Sequence, residues 1–451
     1  MLLKKFNSLL KELSHNGKRQ LTLILSGALI VRILFAFILS VELRSDSMVY
    51  DELAKSIAFN GKYSFEGKTT ALLIAGYPLF LSAIYKFAGT EQIFVKLIQA
   101  LIDTATCFIF FLVLRKFFTE KYSLTGLLIF AFFPSNVLYS QTILTEPLFG
   151  FFAMALFFIL LLENAYRFSF LTGLIWGIAI FIRSSFAPSV ILYPVFFFIK
   201  RKKLFGGFKT NRWRKAVQFS ALFLVGVLLI LSPWLIRNKI EFNSFTLATQ
   251  GGFTFWSGSN PNATGTWYHK IEESDPLFSE EDEVKRDREF YRRGFEYAIA
   301  NPHRFVLTGF KKLAYLFSSE RMILLYFTDD QGKSKTSTEV YKSLNPIYIA
   351  IVNLPYFAIM IGGLWGLLIF NRRNFFLIAF ICSWMITIFF FVALSRYHYV
   401  LIPFFTIGFI NLLMNFKTAT KNLNPLKYTI GIAGSLFLFG TWSSEFYLMY
   451  T

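Results

Sequence analysis

Long apolar runs constrain this 451-residue chain more than any other feature. Residues 21–41 and 94–114 each form a run of about 20 residues, the length at which an α-helix crosses the hydrocarbon core of a bilayer. Apolar residues make up 55% of the chain and aromatic residues 19%, with a mean hydropathy of +0.51. Because backbone groups inside lipid must be hydrogen-bonded within the protein, such runs are expected to be helical. The sequence therefore predicts an all-α polytopic membrane protein.

Further apolar runs raise the predicted number of membrane spans to about 11. The predicted spans are residues 21–41, 94–114, 124–139, 146–162, 168–182, 187–199, 216–236, 346–370, 375–394, 397–416 and 428–447. Residues 305–327 are also apolar, but four charged side chains interrupt them. If this run crossed the membrane, the arginine pair at 372–373 would lie outside, against the usual bias of basic residues. We therefore expect 305–327 to be an interfacial or half-inserted helix.

Basic residues flank the apolar runs, most densely before residue 21 and between residues 200 and 215. Cytoplasmic loops carry such an excess, which predicts a cytoplasmic N-terminus. The first run exceeds a signal-peptide core and ends in no small-residue cleavage site, so we expect a retained helix. In a soluble chain the net charge of +19 would suggest nucleic acid. Beside membrane runs it indicates topology, so the predicted partners are membrane lipids and not nucleic acid.

This topology divides the chain into three parts in the cytoplasmic (inner or plasma) membrane. The predicted parts are an N-terminal transmembrane catalytic module at 1–236 with its first outer loop at 42–91, an outer loop segment at 237–345, and C-terminal transmembrane helices at 346–451. Within the first outer loop, residues 49–59 and 78–87 have the patterns of interfacial helices. The outer loop segment contains a charged stretch at 280–300 that is expected to be helical.

Cysteines and histidines are too sparse to predict a metal centre or a disulfide framework. Cys107 and Cys382 lie in separate apolar runs, and His269 and His398 are far apart in the sequence. We predict no required cofactor and no histidine metal site. A divalent cation held by carboxylates and a substrate phosphate is left open.

Charged and polar residues concentrate where the predicted spans meet the outer face. They are Asp46, Asp51, Glu146, Arg183, Arg237, Asn238, Arg396 and His398. Arginines there would hold a phosphate through charge-assisted hydrogen bonds, while a carboxylate would take a proton from an attacking hydroxyl. The pattern is what a reaction on a membrane-anchored phosphate requires.

Each of these residues also has a purely structural interpretation. An arginine at a span end is often a snorkelling anchor. Glu146 would favour the N-terminus of its helix through the helix dipole, and Asp51 and Glu52 are better explained as helix-start residues. Asp103 lies well inside the second span, where a buried hydrogen bond between helices is a better explanation than catalysis.

A series of short motifs runs in a fixed order from about residue 21 to residue 410. The motif residues are Asp46, Tyr50, Ala54, Gly61, Tyr63, Ser64, Gly76, Tyr77, Pro78, Leu79, Tyr85 and Gly89, then Thr145 to Phe149, Gly173, Gly177, Arg183, Pro233, Trp234, Arg237, Asn238, Gly251, Gly252, Asn260, Pro261, Ala263, Thr264, Gly265, Arg396, Tyr397 and Pro403. Their order resembles the membrane glycosyltransferases of the lipid-phosphate-sugar type. This GT-C type superfamily includes protein O-mannosyltransferases and aminoarabinose transferases.

The resemblance implies an inverting glycosyltransferase that moves a sugar from a polyprenyl-phosphate donor to a hydroxyl of a glycan, lipid or protein acceptor at the outer face. It implies that Asp46 activates the acceptor and that Glu146 is the second acid of the pocket. From charge and topology, Arg183, Arg237 and Arg396 are candidates for the leaving phosphate. The predicted substrate-binding set is completed by Tyr50, Tyr77, Asn238 and His398.

Two positions depart from the family pattern. Ser47 stands where many relatives carry a second acid directly after the catalytic aspartate. Ala75 and Gly76 precede Tyr77 and Pro78, where the aminoarabinose transferases carry a lysine and a proline. The sugar and the acceptor are therefore left open.

Two other classes of function are compatible with the composition. A transporter or flippase of a lipid-linked or anionic substrate would need charges near mid-membrane, and Asp103 is the main acid there. A non-catalytic assembly protein or a ligase of lipid-linked glycans would share the outer arginines but would not need the Asp46 loop.

Overall fold

A computed structural model describes residues 10–162, 165–204, 211–267, 275–328, 339, 342–370, 375–417 and 423–450. The predicted features at His269 and at the arginine pair 372–373 lie outside these residues.

The N-terminal half is helical except for one short hairpin. Its helices are α1 (His15–Ile38), α2 (Asp46–Lys55), α3 (Gly76–Ala88), α4 (Gln92–Leu114), α5 (Glu120–Ala131), α6 (Pro134–Tyr139), α7 (Glu146–Leu160), α8 (Ser169–Ile182), α9 (Leu192–Leu204) and α10 (Arg212–Phe242). A π-helical turn, Ser56–Asn60, extends α2, and 3₁₀ turns occupy Ala165–Phe168 and Ser184–Ile191. Strands β1 (Ser64–Phe65) and β2 (Lys68–Thr69) pair antiparallel.

The C-terminal half contains shorter helices followed by long ones. They are α11 (Gly251–Ser257), α12 (Glu283–Ala300), α13 (Pro302–Leu316), α14 (Arg321–Leu325), α15 (Pro346–Leu368), α16 (Phe375–Phe390), α17 (Ile402–Met414) and α18 (Pro425–Tyr450). Two 3₁₀ segments, Pro276–Ser279 and Ser395–Leu401, interrupt this series. The second of them leads directly into α17.

Five of the described helical stretches are long and apolar enough to cross a membrane. They are His15–Ile38, Gln92–Leu114, Arg212–Phe242, Pro346–Leu368 and the continuous stretch Ser395–Met414. Four shorter apolar stretches accompany them: Glu146–Leu160, Tyr166–Ile182, Ser184–Ile199 and Phe376–Phe390. The predicted all-α, multi-pass membrane architecture is confirmed. The predicted number of about 11 membrane spans is not confirmed.

Proline accounts for one difference from the predicted helices. The run 124–139 was expected to form a single helix, but α5 ends at Ala131 and α6 begins at Pro134. A proline lacks the N–H that would continue the helix and pushes the preceding residue into an extended conformation. Phe133 accordingly has a ψ of 122°.

The run 305–327 is also divided. Helix α13 ends at Leu316 and α14 begins at Arg321. Lys312 on α13 is fully buried, and its ammonium donates to the carbonyls of Phe389 and Phe390 at 3.2 and 3.1 Å. These carbonyls close the C-terminal end of α16, so the lysine satisfies acceptors that the helix itself leaves free. Whether α13 lies at the interface stays a prediction.

The first outer loop starts its helix earlier than expected. Asp46 is the first residue of α2, so the interpretation of Asp51 and Glu52 as helix-start residues is wrong. Asp51 lies in the middle of α2, where it accepts a 2.6 Å hydrogen bond from the Tyr85 hydroxyl and pairs with Lys55 at 2.7 Å. The acid at the positive end of the helix dipole is therefore Asp46.

A buried ion pair joins the first two long helices inside the bundle. Arg32 Nε donates to Asp103 Oδ2 at 2.6 Å, with both side chains fully buried. Arg32 also donates to the carbonyls of Ala28 and Ala131, and the Tyr399 hydroxyl donates to Asp103 Oδ1 at 3.1 Å. The prediction that Asp103 makes a hydrogen bond between helices is confirmed.

Removing the Tyr399 hydroxyl tests the contribution of this network to stability. Tyr399→Phe keeps the ring but deletes one donor to Asp103. Single hydrogen bonds within membranes are modest, so we expect a loss of about 1 kcal/mol in the free energy of unfolding. The measurement is reversible unfolding in mixed micelles. A loss above about 3 kcal/mol would mean that Tyr399 does more than donate this bond.

Two glycines permit the close helix approaches that position the polar ends. A Cβ at Gly366 on α15 would lie 1.7 Å from the Gly408 carbonyl oxygen on α17. A Cβ at Gly76, which begins α3, would lie 2.1 Å from the Phe181 carbonyl oxygen near the end of α8. Small residues allow such backbone contact between helices. The second contact brings the first outer loop against the end of the helix that precedes Arg183.

Candidate active site

A cavity of about 460 Å³ lies where residues of the two predicted outer regions, 42–91 and 237–345, meet the ends of the apolar helices. Its walls come from the first outer loop, the turn after α8, the segment 245–254, helix α12 and the region 387–397. Its lining includes the charged side chains of Asp46, Arg183 and Arg396 as well as apolar side chains such as Ile388 and Val392. The cavity thus combines groups that suit an anionic head with a surface that suits a hydrocarbon chain.

Asp46 reaches the cavity from the first turn of α2. Its side chain is 30% exposed, and its carboxylate forms an ion pair with the Arg396 guanidinium. The preceding residue, Ser45, has φ 48° and ψ −124°, a conformation that residues with a side chain rarely adopt. Strained backbone of this kind is often retained where it aims a functional side chain.

Arg396 lies between the two acids of the site. Its side chain is 6% exposed, and its Nε is 3.9 Å from Glu146 Oε1. Glu146, the first residue of α7, is almost fully buried and accepts a 3.2 Å hydrogen bond from Arg183 Nη1. Asp46, Arg396, Glu146 and Arg183 therefore form one chain of alternating charges. Buried charges of this kind are tolerated because each one has an opposite partner.

Aromatic rings hold the Arg183 guanidinium. Its central carbon is 4.4 Å from the ring centre of Tyr397, 5.5 Å from that of Trp384 and 5.8 Å from that of Phe149. Arg183 Nη1 also lies 3.5 Å from the Thr145 hydroxyl. A planar guanidinium stacked on rings keeps its edge available for bidentate bonds to carboxylate or phosphate.

The two predicted tyrosines lie at different depths. Tyr50 lines the cavity, and burial together with the nearby Asp46 raises the pKa of its hydroxyl well above the usual value. It is therefore a neutral hydrogen-bonding group. Tyr77 lies behind it, with the two rings edge to face at 5.0 Å, and its hydroxyl donates to Gln99 at 2.9 Å. The cavity lining includes Tyr50 but not Tyr77.

Arg237 and Asn238 are not brought to the cavity. Arg237 donates to the carbonyls of Thr70 and Tyr63 at 2.8 and 3.3 Å and to the Asn238 amide oxygen at 2.7 Å. Asn238 donates to the Thr246 carbonyl at 2.8 Å. These bonds join α10 to the first outer loop and to the start of the outer loop segment. Their placement favours an architectural role over the predicted contact with phosphate.

His398 also points away from the cavity. It is fully buried and faces Glu320, one of the four charged residues that interrupt the apolar run 305–327. Within the part of the chain that the structure describes, no group of three or more His, Cys, Asp or Glu side chains is placed to hold a metal ion.

The outer loop segment adds cavity residues that sequence reasoning missed. Gln250, Thr254, Asp287 and Tyr291 all line the cavity. Asp287 Oδ1 accepts a 2.6 Å hydrogen bond from the Gly252 amide, which joins α12 to α11. Burial raises the pKa of Asp287 to about 6. The charged pattern at 280–300 predicts a helix but does not show which of its acids faces inward.

The raised pKa of Asp287 predicts a pH-dependent stability. The folded protein holds this proton up to about pH 6, whereas the unfolded chain releases it near the ordinary value of 3.8. The free energy of unfolding should therefore fall as pH rises from about 4 to 6. Asp287→Asn keeps an acceptor for Gly252 and should stabilise the protein by about 1 to 2 kcal/mol above pH 6.

Thermal unfolding at pH 5 and pH 8 measures this effect. The exposed Glu296 on the same helix provides the matched control, Glu296→Gln, for which no such pH-dependent gain is expected. An equal stability difference between wild type and Asp287→Asn at both pH values would contradict the assignment.

Comparison with solved structures finds membrane glycosyltransferases. The structure is similar to the protein O-mannosyltransferase Pmt1-Pmt2 complex of Saccharomyces cerevisiae bound to the sugar donor, with a TM-score of 0.42 and 16% identity over 57% of this chain and 38% of that chain. It is similar to an oligosaccharyltransferase of Archaeoglobus fulgidus, with a TM-score of 0.49 and 12% identity over 93% and 52%. For ArnT of Cupriavidus metallidurans bound to undecaprenyl phosphate, the TM-score is 0.44, with 12% identity over 90% and 81%.

The sequence motifs resemble the superfamily that includes protein O-mannosyltransferases, and one of these neighbours is a protein O-mannosyltransferase. This chain spans only 38% to 55% of the length of the first structures it matches. No protein-family model matches the sequence, and no curated protein matches it.

Proposed function

We propose that this protein is an inverting glycosyltransferase that moves a sugar from a polyprenyl-phosphate donor to a hydroxyl acceptor. One observation carries the proposal. Two acids and two arginines form a continuous charged chain, in which Asp46, Arg396 and Arg183 line a cavity that also has apolar lining residues and Glu146 is buried between the two arginines. This combination suits a substrate with an anionic head and a hydrocarbon tail.

In the proposed complex the donor phosphate binds Arg183 and Arg396. Both guanidiniums are already held, Arg183 by aromatic rings and Arg396 by two carboxylates. A phosphate arriving at Arg396 competes with Asp46 for the same guanidinium. Binding therefore releases the Asp46 carboxylate, while Glu146 keeps the two arginines in place. The apolar side of the cavity accepts the first isoprene units.

The released Asp46 carboxylate then acts as the general base. It takes the proton of the acceptor hydroxyl as that oxygen forms a bond to the anomeric carbon, on the face opposite the phosphate. The bond between the anomeric carbon and the phosphate oxygen breaks, and the electron pair leaves with the polyprenyl phosphate. The two arginines stabilise the charge that develops on this leaving group, an effect worth several kcal/mol in a preorganised site. No general acid is required.

We further propose that the reaction takes place at the outer face of the cytoplasmic membrane. The support is the bias of basic residues toward the N-terminus and residues 200–215, which favours the opposite side of the membrane for the charged cavity. The outer loop segment, through Gln250, Thr254 and Tyr291, supplies the polar groups that contact the acceptor or the sugar. The sugar itself is to be identified by assay.

The test is a transfer assay with purified protein in nanodiscs and a panel of short-chain polyprenyl-phosphate sugars. The proposal expects release of polyprenyl phosphate and a glycosylated product whose anomeric configuration is opposite to that of the donor. Retention of configuration would contradict it. Movement of a lipid-linked substrate across liposomes that contain only this protein, without any bond cleavage, would instead favour a flippase.

A further inference from the structure

The 3₁₀ segment Ser395–Leu401 contributes side chains both to the cavity and to the protein interior beside it. Arg396 and Tyr397 face the cavity, where they contact Asp46 and Arg183. His398 faces away from it and is fully buried against Glu320, whose side chain is 1% exposed. Arg396, which is proposed to bind the donor phosphate, is therefore two residues away from His398 and its buried contact with Glu320.

Both ring nitrogens of His398 have polar neighbours. Nδ1 is 2.9 Å from the Leu316 carbonyl oxygen, and Nε2 is 3.0 Å from Glu320 Oε1. A carbonyl can only accept, so Nδ1 carries a proton. Nε2, on the other side of the ring, faces the Glu320 carboxyl group. The ring also stacks on Tyr356, with centroids 4.5 Å apart.

Glu320 is fixed by elements that do not reach the cavity. Its backbone amide donates to the Asn353 side chain on α15 at 2.8 Å. The amide of the neighbouring Ser319 donates to Glu445 on α18 at 2.7 Å, and Arg321 Nε is 3.2 Å from the same carboxylate. The break between α13 and α14 is thus anchored on two long helices, and Glu320 extends from this anchor to His398.

We propose that Glu320 and His398 are positioning residues that hold Arg396 in its phosphate-binding orientation. The inference rests on the proposed function, because it assigns Arg396 to the donor phosphate. A 3₁₀ segment has poorer internal hydrogen bonds than an α-helix, so side-chain contacts must fix its position. Two side chains of this segment have partners outside the cavity lining: Tyr399 donates to Asp103, and His398, which is nearer to Arg396 in the sequence, contacts Glu320. Small displacements of a preorganised charged group weaken binding strongly.

The experiment measures binding of farnesyl phosphate, with farnesol as the uncharged reference, by calorimetry on the full chain in nanodiscs. Glu320→Ala should weaken farnesyl phosphate binding about tenfold and leave farnesol binding unchanged. Glu320→Gln, which can still donate to His398 Nε2, should restore affinity to within about threefold of wild type. If Glu320→Ala does not fold, His398→Phe, which keeps the stacked ring, takes its place with the same expectation.

A double-mutant cycle shows whether the effect acts through Arg396. Adding Glu320→Ala to Arg396→Lys should cause less than a twofold further loss, whereas adding it to Asp51→Asn, outside the cavity lining, should cause the full tenfold loss. Wild-type affinity in Glu320→Ala, or full additivity with Arg396→Lys, would overturn the positioning role. Equal wild-type binding of farnesyl phosphate and farnesol would overturn the proposed phosphate site itself, and this inference with it.

Discussion

Asp46→Asn should lower the rate of sugar transfer about 1,000-fold and leave binding of farnesyl phosphate intact or tighter. The rate falls because the amide cannot accept the proton of the attacking hydroxyl, and positioned general bases contribute about 10²- to 10⁴-fold. Binding does not suffer because the carboxylate competes with phosphate for Arg396. Single-turnover release of polyprenyl phosphate measures the first quantity, and calorimetry measures the second.

Asp51→Asn is the matched control for this substitution. Asp51 lies on the same helix, but its carboxylate is engaged by Tyr85 and Lys55 and does not line the cavity. Its transfer rate should stay within about threefold of wild type. Equal rates in Asp46→Asn and wild type would remove Asp46 from the mechanism, and a large loss in both variants would indicate a general effect on the first outer loop.

Arg396→Gln should weaken farnesyl phosphate binding about 100- to 1,000-fold. The substitution removes a charged donor from the proposed phosphate site and leaves Glu146 without one of its two arginine partners. Truncating one member of a buried, hydrogen-bonded charge pair costs about 2 to 5 kcal/mol, and each 1.4 kcal/mol is tenfold in affinity. Calorimetric titration at several salt concentrations measures the loss and its charge dependence.

Arg237→Gln is the control that distinguishes the arginines lining the cavity from Arg237, which joins backbone segments. Arg237 binds backbone carbonyls of the first outer loop and does not line the cavity. The variant should unfold at a lower temperature and keep its affinity for farnesyl phosphate within about threefold. If its affinity fell as far as that of Arg396→Gln, Arg237 would belong to the phosphate site as the sequence suggested.

The four site residues that were predicted from the sequence share one feature of the sequence. Asp46, Glu146, Arg183 and Arg396 are charged residues at the ends of apolar runs, where charge is costly unless it is solvated or paired. A topology that places all four at one membrane face is enough to predict that they meet. Their roles in chemistry stay predictions.

The same reasoning from charge beside apolar runs wrongly assigned Arg237 to the phosphate site and did not identify Arg32. Both arginines lie in or beside an apolar run, and a pattern along the sequence does not give the direction in which a side chain points. Arg237 turns toward the carbonyls of the first outer loop. Arg32 lies inside the first span and was overlooked, although it is the partner of the one acid recognised in the second span, Asp103.

Contacts between distant segments account for the other omissions. Glu320 and His398 are 78 residues apart, and Asp287 reaches the cavity only because Gly252 packs directly on its helix. No local period or motif encodes such pairings. The division of 124–139 by Pro134 was, by contrast, readable from the sequence, because a proline inside a helical run predicts a break.

The stereochemistry of a single turnover tests the central claim most directly. Wild-type protein would be given a donor of defined anomeric configuration, and the product would be assigned by nuclear magnetic resonance, with Asp46→Asn and Asp51→Asn assayed in parallel. In the proposed mechanism a single base, Asp46, acts opposite a leaving phosphate that is bound by arginines. We therefore expect complete inversion of configuration in wild type and in Asp51→Asn. We expect almost no product in Asp46→Asn. Retention of configuration, or inverted product formed equally fast by Asp46→Asn, would contradict this mechanism.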